Sequence, residues 1–167
     1  ALITYHSPKD RRTRLSRGDA SIETVEHFLA ASAALGVDNL KIEVSGPELP
    51  GMDGSATSYV ELFKQAGIVE QREDAKVFKL DQPVFVREGA ATLIALPSDR
   101  EVLTLQYVAS FEEPGVASGT FQTDVTPESF EREIAPARTF ALASEVDALI
   151  AAGLGKGANR ENTLVLG

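Results

Sequence analysis

Ile22-Glu23-Thr24-Val25-Glu26-His27-Phe28-Leu29-Ala30-Ala31 opens a segment that runs through Gly36 into Leu40-Lys41-Ile42-Glu43-Val44, and the change of period along it predicts a helix followed by a strand. Val25, Phe28 and Leu29 fall at one-turn spacing on one helical face, and Thr24 is placed to cap that helix by accepting a hydrogen bond from a backbone N–H near His27. Gly36 suits the left-handed residue that follows a helix C-terminus. Beyond it Leu40, Ile42 and Val44 alternate with Lys41 and Glu43, the period of a half-buried strand packed by the helix. Glu26 and His27 lie side by side in the first helical turn. Adjacent helical residues point about 100° apart, yet at a helix mouth both can lean into one cleft, the arrangement a base beside a metal ligand needs. The residues also allow a plainer reading, an acid favoured by the helix dipole next to an ordinary surface or half-buried histidine.

Working outward, Leu2-Ile3-Thr4-Tyr5 reads as a strand, His6 to Asp10 as a turn, and Thr13-Arg14-Leu15 as a second short strand. Downstream, Gly46-Pro47 breaks the alternating run. A loop through Met52-Asp53-Gly54 then leads to a second helix, capped by Ser55 or Ser58, with Tyr59, Leu62, Phe63 and Ala66 as its apolar face and Gly67 at its end. The polar run Gln71-Arg72-Glu73-Asp74 marks a change of pattern. Strands are expected over 76–80, 83–86, 91–96, 102–108 and 119–125. Thr126-Pro127 then starts a helix with threonine as cap and proline at the first position, closed by Pro136. Ala137 to Phe140 is a short extended piece, and a last helix opens at Ser144 and ends at Gly153. The tail, Gly153 to Leu166, repeats the helix, glycine, polar turn and strand order of Gly36 to Val44. The fold class is therefore α+β, in two layered α/β sandwich units of similar topology, 1–72 and 73–167, each a mainly antiparallel sheet packed with helices.

Composition limits the partners. The 167 residues are 43% hydrophobic, enough for a core of ordinary density. A net charge of −9 opposes a nucleic-acid partner, since little here would neutralise phosphates. Arg11, Arg12, Arg14 and Arg17 are the basic exception, read as a solvated loop. With no cysteine there is neither a disulfide nor a thiolate metal site, which is compatible with the cytoplasm. No apolar run reaches bilayer-spanning length, so no transmembrane segment is expected.

Three blocks in order carry a more specific signal: Thr24 to Ala31 with Leu35-Gly36-Val37-Asp38-Asn39, then Gly46-Pro47-Glu48-Leu49-Pro50-Gly51-Met52-Asp53-Gly54-Ser55-Ala56, then Ala137-Arg138-Thr139-Phe140. Together they resemble the zinc-dependent UDP-3-O-acyl-N-acetylglucosamine deacetylase family of lipid A biosynthesis. The resemblance implies two layered domains with the active site between them, a cytoplasmic enzyme, and a UDP-sugar acyl substrate. It further implies His27 as a zinc ligand, Glu26 as the general base, Thr139 as a hydroxyl stabilising the oxyanion, and Phe140 and Arg138 as substrate contacts. In that family further strands precede the matched region, and a His-Lys-x-Leu-Asp-x-x-Gly-Asp segment after it supplies two more zinc ligands. The chain is accordingly expected to be a fragment.

Without the resemblance, Thr139 reads as a β-branched strand residue, Phe140 as a core aromatic and Arg138 as a surface cation. A hydrolytic zinc site uses about three protein ligands and a water. Only two histidines are present, His6 and His27, and His6 beside Ser7-Pro8 reads as a surface residue. Gly153-Leu154-Gly155-Lys156-Gly157 follows a helix and lacks Ser or Thr after its lysine, so it is a glycine-rich turn and no nucleotide phosphate loop. Asp53 is explained by a turn and a helix cap. The alternative function is a catalytically inert binding or structural domain without a complete metal site.

Overall fold

The computed structural model describes residues 3–167. The fold is α+β. Three short strands, β1 (His6–Ser7), β2 (Arg14–Arg17) and β3 (Ala20–Glu23), form an antiparallel sheet that delivers the chain into helix α1 (Glu26–Ala34). Helix α2 (Thr57–Ala66) packs on α1, with Phe28 edge-on to Tyr59 at 5.6 Å between ring centroids and tilted against Phe63 at 5.4 Å. Two antiparallel hairpins follow, β4 (Val84–Glu88) with β5 (Ala91–Ala95) and β6 (Leu103–Ala109) with β7 (Gly119–Val125).

Strand β7 leads into a single helical turn, α3 (Pro127–Ser129), continued by a π-turn over Phe130–Ile134. The chain ends in a parallel pair, β8 (Phe140–Leu142) and β9 (Leu164–Leu166), whose crossover contains helix α4 (Val146–Ala151).

The core is small and sits where these parts meet. Ala31 and Ala34 of α1, Ala56, Tyr59 and Val60 at the start of α2, and Phe130 and Ala135 of the π-turn are buried together, so the cluster draws on both 1–72 and 73–167. Tight helix approach follows from the alanines. Small side chains on α1 let Tyr59 and Val60 come close, and Phe130 closes the end.

Several expected elements take another form. Leu2 lies outside the described residues, and Ile3–Tyr5 is a 3-10 turn rather than a strand. His6-Ser7, expected in a turn, pairs as β1 with Leu15 and Arg14. Residues 40–44 form no strand: Leu40, Ile42 and Val44 are 43%, 49% and 51% exposed, because no strand among the described residues runs beside them. Instead they border an open cleft of about 1570 Å³ that Phe28, Tyr59 and Phe63 also line. Residues 76–80 are likewise irregular, with Val77 and Phe78 exposed. On α2 the buried side chains are Tyr59 and Val60, while Leu62 and Ala66 face outward. The basic cluster is also engaged: Arg12 reaches Glu23 and Glu48, Arg14 reaches Ser7 and Pro8, Arg17 lies over Tyr5, and Arg11 pairs with Glu145.

Candidate active site

Glu26 and His27 occupy the first turn of α1, as the spacing predicts, but Thr24 does not cap it. Its backbone is left-handed, at φ +56°, Val25 takes the N-cap position without a side-chain cap, and the Thr24 hydroxyl donates to Glu48 Oε1 at 2.5 Å. A β-branched residue is strained there, by about 1–3 kcal/mol. The cause is the path of the chain. Strand β3 must turn sharply into α1 while Glu23 pairs with Glu48, its N–H donating to the Pro47 carbonyl and its carbonyl accepting from Leu49. Thr24 absorbs that turn, and Glu26 and His27 emerge directly after it.

The Glu26 carboxylate accepts a hydrogen bond from the Thr13 backbone N–H at 3.0 Å. Thr13 lies in the β1–β2 loop, which Arg12 ties to Glu23 and Glu48. The neighbouring Tyr59 hydroxyl donates to the Pro50 carbonyl at 2.6 Å, and burial first, then the Glu26 charge, push the phenol above its ordinary value. Thr13 was not evident as a site residue in the sequence. It contributes a backbone group, for which side-chain identity carries no signal.

Thr139 comes to the same place from the far end of the chain. Helix α2 holds it there. The Ala56 N–H donates to the Ala135 carbonyl at 2.9 Å and the Thr139 N–H to the Gly54 carbonyl at 2.8 Å, so residues 135–139 run along the start of α2. Because α2 lies on α1, this brings Thr139 Oγ1 within 3.2 Å of His27 Nε2. On the other side the Leu164 N–H donates to the Thr139 carbonyl.

Arg138 directs its guanidinium at protein backbone, Nε to the Asp53 carbonyl at 3.0 Å and Nη2 to the Arg160 carbonyl at 3.2 Å. Phe140 is 43% exposed on β8 and meets Phe111 edge-on. His6 is exposed on β1. The Asp53 carboxylate accepts from the Ser55 N–H and hydroxyl; burial pushes its pKa up, but these bonds outweigh burial and hold it below the ordinary value. That is the turn role expected of it, but the expected cap is absent: Ala56, and neither Ser55 nor Ser58, takes the N-cap position of α2, without a side-chain cap bond, while the hydroxyl of Ser55, one residue earlier, accepts from the Thr57 N–H.

A hydrolytic zinc centre draws on about three protein donors. Among the described residues no group of three His, Cys, Asp or Glu stands together to hold a metal ion. The side chains present do not fit zinc by themselves, and what they can do is accept a proton at Glu26, offer one imidazole at His27 and donate from a hydroxyl at Thr139. No helix among the described residues is long and apolar enough to cross a membrane.

The chain is 42% identical over 154 residues to the UDP-3-O-acyl-N-acetylglucosamine deacetylase of Nitratidesulfovibrio vulgaris, covering 92% of this chain and 49% of that protein. It is 40% identical over 154 residues to that of an Anaeromyxobacter species, covering 92% and 50%. The relative of the same name from Chlamydia pneumoniae is 40% identical over 166 residues, 99% of this chain and 58% of its own length. The chain thus spans about half the length of the curated relatives it matches. A family model described as UDP-3-O-acyl N-acetylglycosamine deacetylase covers residues 1–167, and with those relatives it shows that the chain belongs to that deacetylase family.

Proposed function

We propose that the chain carries the base and hydroxyl half of an amide-hydrolase site that removes the acetyl group from UDP-3-O-acyl-N-acetylglucosamine. The carrying observation is the 3.2 Å approach of Thr139 Oγ1 to His27 Nε2, which joins residues from opposite ends of the chain beside Glu26. In this reading Glu26 takes the proton of the attacking water and passes it to the departing nitrogen, so the C–N bond breaks to acetate and a free amine. The Thr139 hydroxyl donates to the oxygen that becomes negative in the tetrahedral intermediate. His27 would supply one of the donors if the full-length protein holds zinc, and the metal would then polarise the attacking water. Phe140, exposed at the start of β8, is proposed to contact the substrate. The division into units 1–72 and 73–167 and a cytoplasmic setting belong to the same proposal, the latter supported by a nucleotide-activated sugar as substrate class.

The test compares two neighbouring substitutions in the full-length protein. Glu26→Gln keeps shape and most hydrogen bonding but removes the base, so metal content should hold while turnover drops roughly 10²- to 10⁴-fold. His27→Ala should lose metal and turnover together, with added zinc restoring activity in part at most. If Glu26→Gln lost its metal or kept most of its turnover, Glu26 would be a helix-terminus carboxylate and the base assignment would fall.

A further inference from the structure

We infer that Arg138 is a positioning residue for Thr139, clamping the two loops that hold the Thr139 backbone; this rests on the proposed role of Thr139. As a substrate contact Arg138 would present its charged fork to a ligand. Two of its donors are turned to protein instead. Nε and Nη2 donate to the carbonyls of Asp53 and Arg160, both neutral backbone acceptors.

Those acceptors flank the groups that fix Thr139. Asp53 precedes Gly54, whose carbonyl accepts the Thr139 N–H at 2.8 Å, and Arg160 lies within the turn that the Thr163 N–H closes on the Asn159 carbonyl, just before Leu164, whose N–H donates to the Thr139 carbonyl at 2.9 Å. The two loops also touch, since a β-carbon on Gly54 would lie 1.9 Å from the Asn162 carbonyl oxygen. Further bonds stiffen each loop: Asp53 to Ser55 in one, and in the other the Asn162 side chain to the Asn159 N–H and the Gly157 carbonyl. One guanidinium therefore spans both supports of Thr139, and the reach of Thr139 Oγ1 to His27 Nε2 follows from that span. A lysine would not reproduce it, because its three donors share one compact nitrogen, whereas the planar fork spreads Nε and Nη2 to meet carbonyls on two loops.

The experiment is a double-mutant cycle in the full-length protein, with Arg138→Lys and Arg138→Met each made alone and with Thr139→Val, and kcat and KM measured for deacetylation. Loosening a reacting group by about 1 Å can cost on the order of 100-fold, so kcat should fall roughly 10- to 100-fold in both Arg138 variants while KM stays within about twofold. In the Thr139→Val background the same substitutions should change kcat by less than about threefold, because residues that act through one another are not additive. A raised KM with kcat preserved, rescued by lysine, would make Arg138 an anion contact and overturn the inference. So would a full additive fall on top of Thr139→Val, or a loss confined to stability with kcat unchanged per folded molecule counted by near-ultraviolet circular dichroism. Unchanged kcat in Thr139→Val alone overturns the oxyanion reading itself, a pattern separate from all of these.

Discussion

A side chain on Gly54 has nowhere to go. The residue is buried, its φ is +82°, and the atom an added β-carbon would meet is a backbone oxygen, which cannot swing aside as a flexible side chain would. Gly54→Ala should therefore destabilise the chain by more than about 2 kcal/mol, combining left-handed strain with a clash that must part the Asn162 loop. Gly51→Ala is the matched control: its β-carbon would meet nothing within 4 Å, so it should stay within about 1 kcal/mol of the parent. Urea unfolding of both variants decides it, and equal midpoints would refute the contact. This scale also shows what the sequence conceals. Asp53-Gly54-Ser55 was legible as a turn, because the groups that satisfy Asp53 lie two residues away. Gly54 meets Asn162, and Arg138 bonds Asp53 and Arg160, all far away in sequence, so no local spacing records them. The strain at Thr24 was hidden in the same way, since threonine in that position reads as a helix cap whenever the pairing of Glu23 with Glu48 is unseen.

The α3 turn is the element whose start was read most directly. Thr126 accepts from the Ser129 N–H at 3.2 Å while the Ser129 hydroxyl accepts from the Thr126 N–H at 2.9 Å, a reciprocal box with Pro127 at the first position. Ser129 Oγ also donates to the Asp124 carbonyl, which couples the cap to the end of β7. Thr126→Ala should lower stability by about 1 kcal/mol and Thr126→Ser by much less. A calorimetric melt in which the two variants agree would show that the hydroxyl is idle. What the sequence did not convey was the continuation into a π-turn, where Phe130 is 3% exposed and the Ala135 N–H reaches back to the Phe130 carbonyl. Strand expectations failed where alternation was the only warrant. Period two at Leu40, Ile42 and Val44 reports that one face is apolar, whereas a ladder also needs a neighbouring strand to supply its hydrogen bonds. The hairpins β4–β5 and β6–β7 succeeded because each strand's partner is the next one along. Helical spacing likewise identified α2 but not its rotation, for Val60 is buried and Leu62 is 48% exposed.

At the scale of the whole molecule, distant parts are joined by charge as well as by the small core. Arg11 in the β1–β2 loop pairs with Glu145 ahead of α4 at 2.7 Å, and Lys64 on α2 pairs with Glu131 of the π-turn at 2.5 Å. Each exposed pair is weak and screened by salt, but the carboxylates share one direction of response. Arg11 holds Glu145 below its ordinary value, Arg100 and then Thr104 do so for Asp124, and Arg132 and then Thr123 for Glu133. Asp53 is lowered too, its bonds from Ser55 outweighing burial. A carboxylate with a depressed pKa in the folded state binds fewer protons there than when unfolded, so its contribution is present above the unfolded value and is lost as pH falls through the folded one. The ordinary values are 4.5 for Glu and 3.8 for Asp, which puts the window below about pH 4.5. The chain carries a net charge of −9, and protonation also relieves repulsion among its carboxylates. For these four groups the proton-binding difference between states sets the sign, and that sign is destabilising in acid. The urea midpoint should therefore hold between about pH 7 and 5 and fall from about pH 4.5 to 3, with a smaller fall in Glu145→Gln, whose contribution has already been removed. A midpoint that stayed level or rose over the acid range would show that these pairs do not act on the folded state.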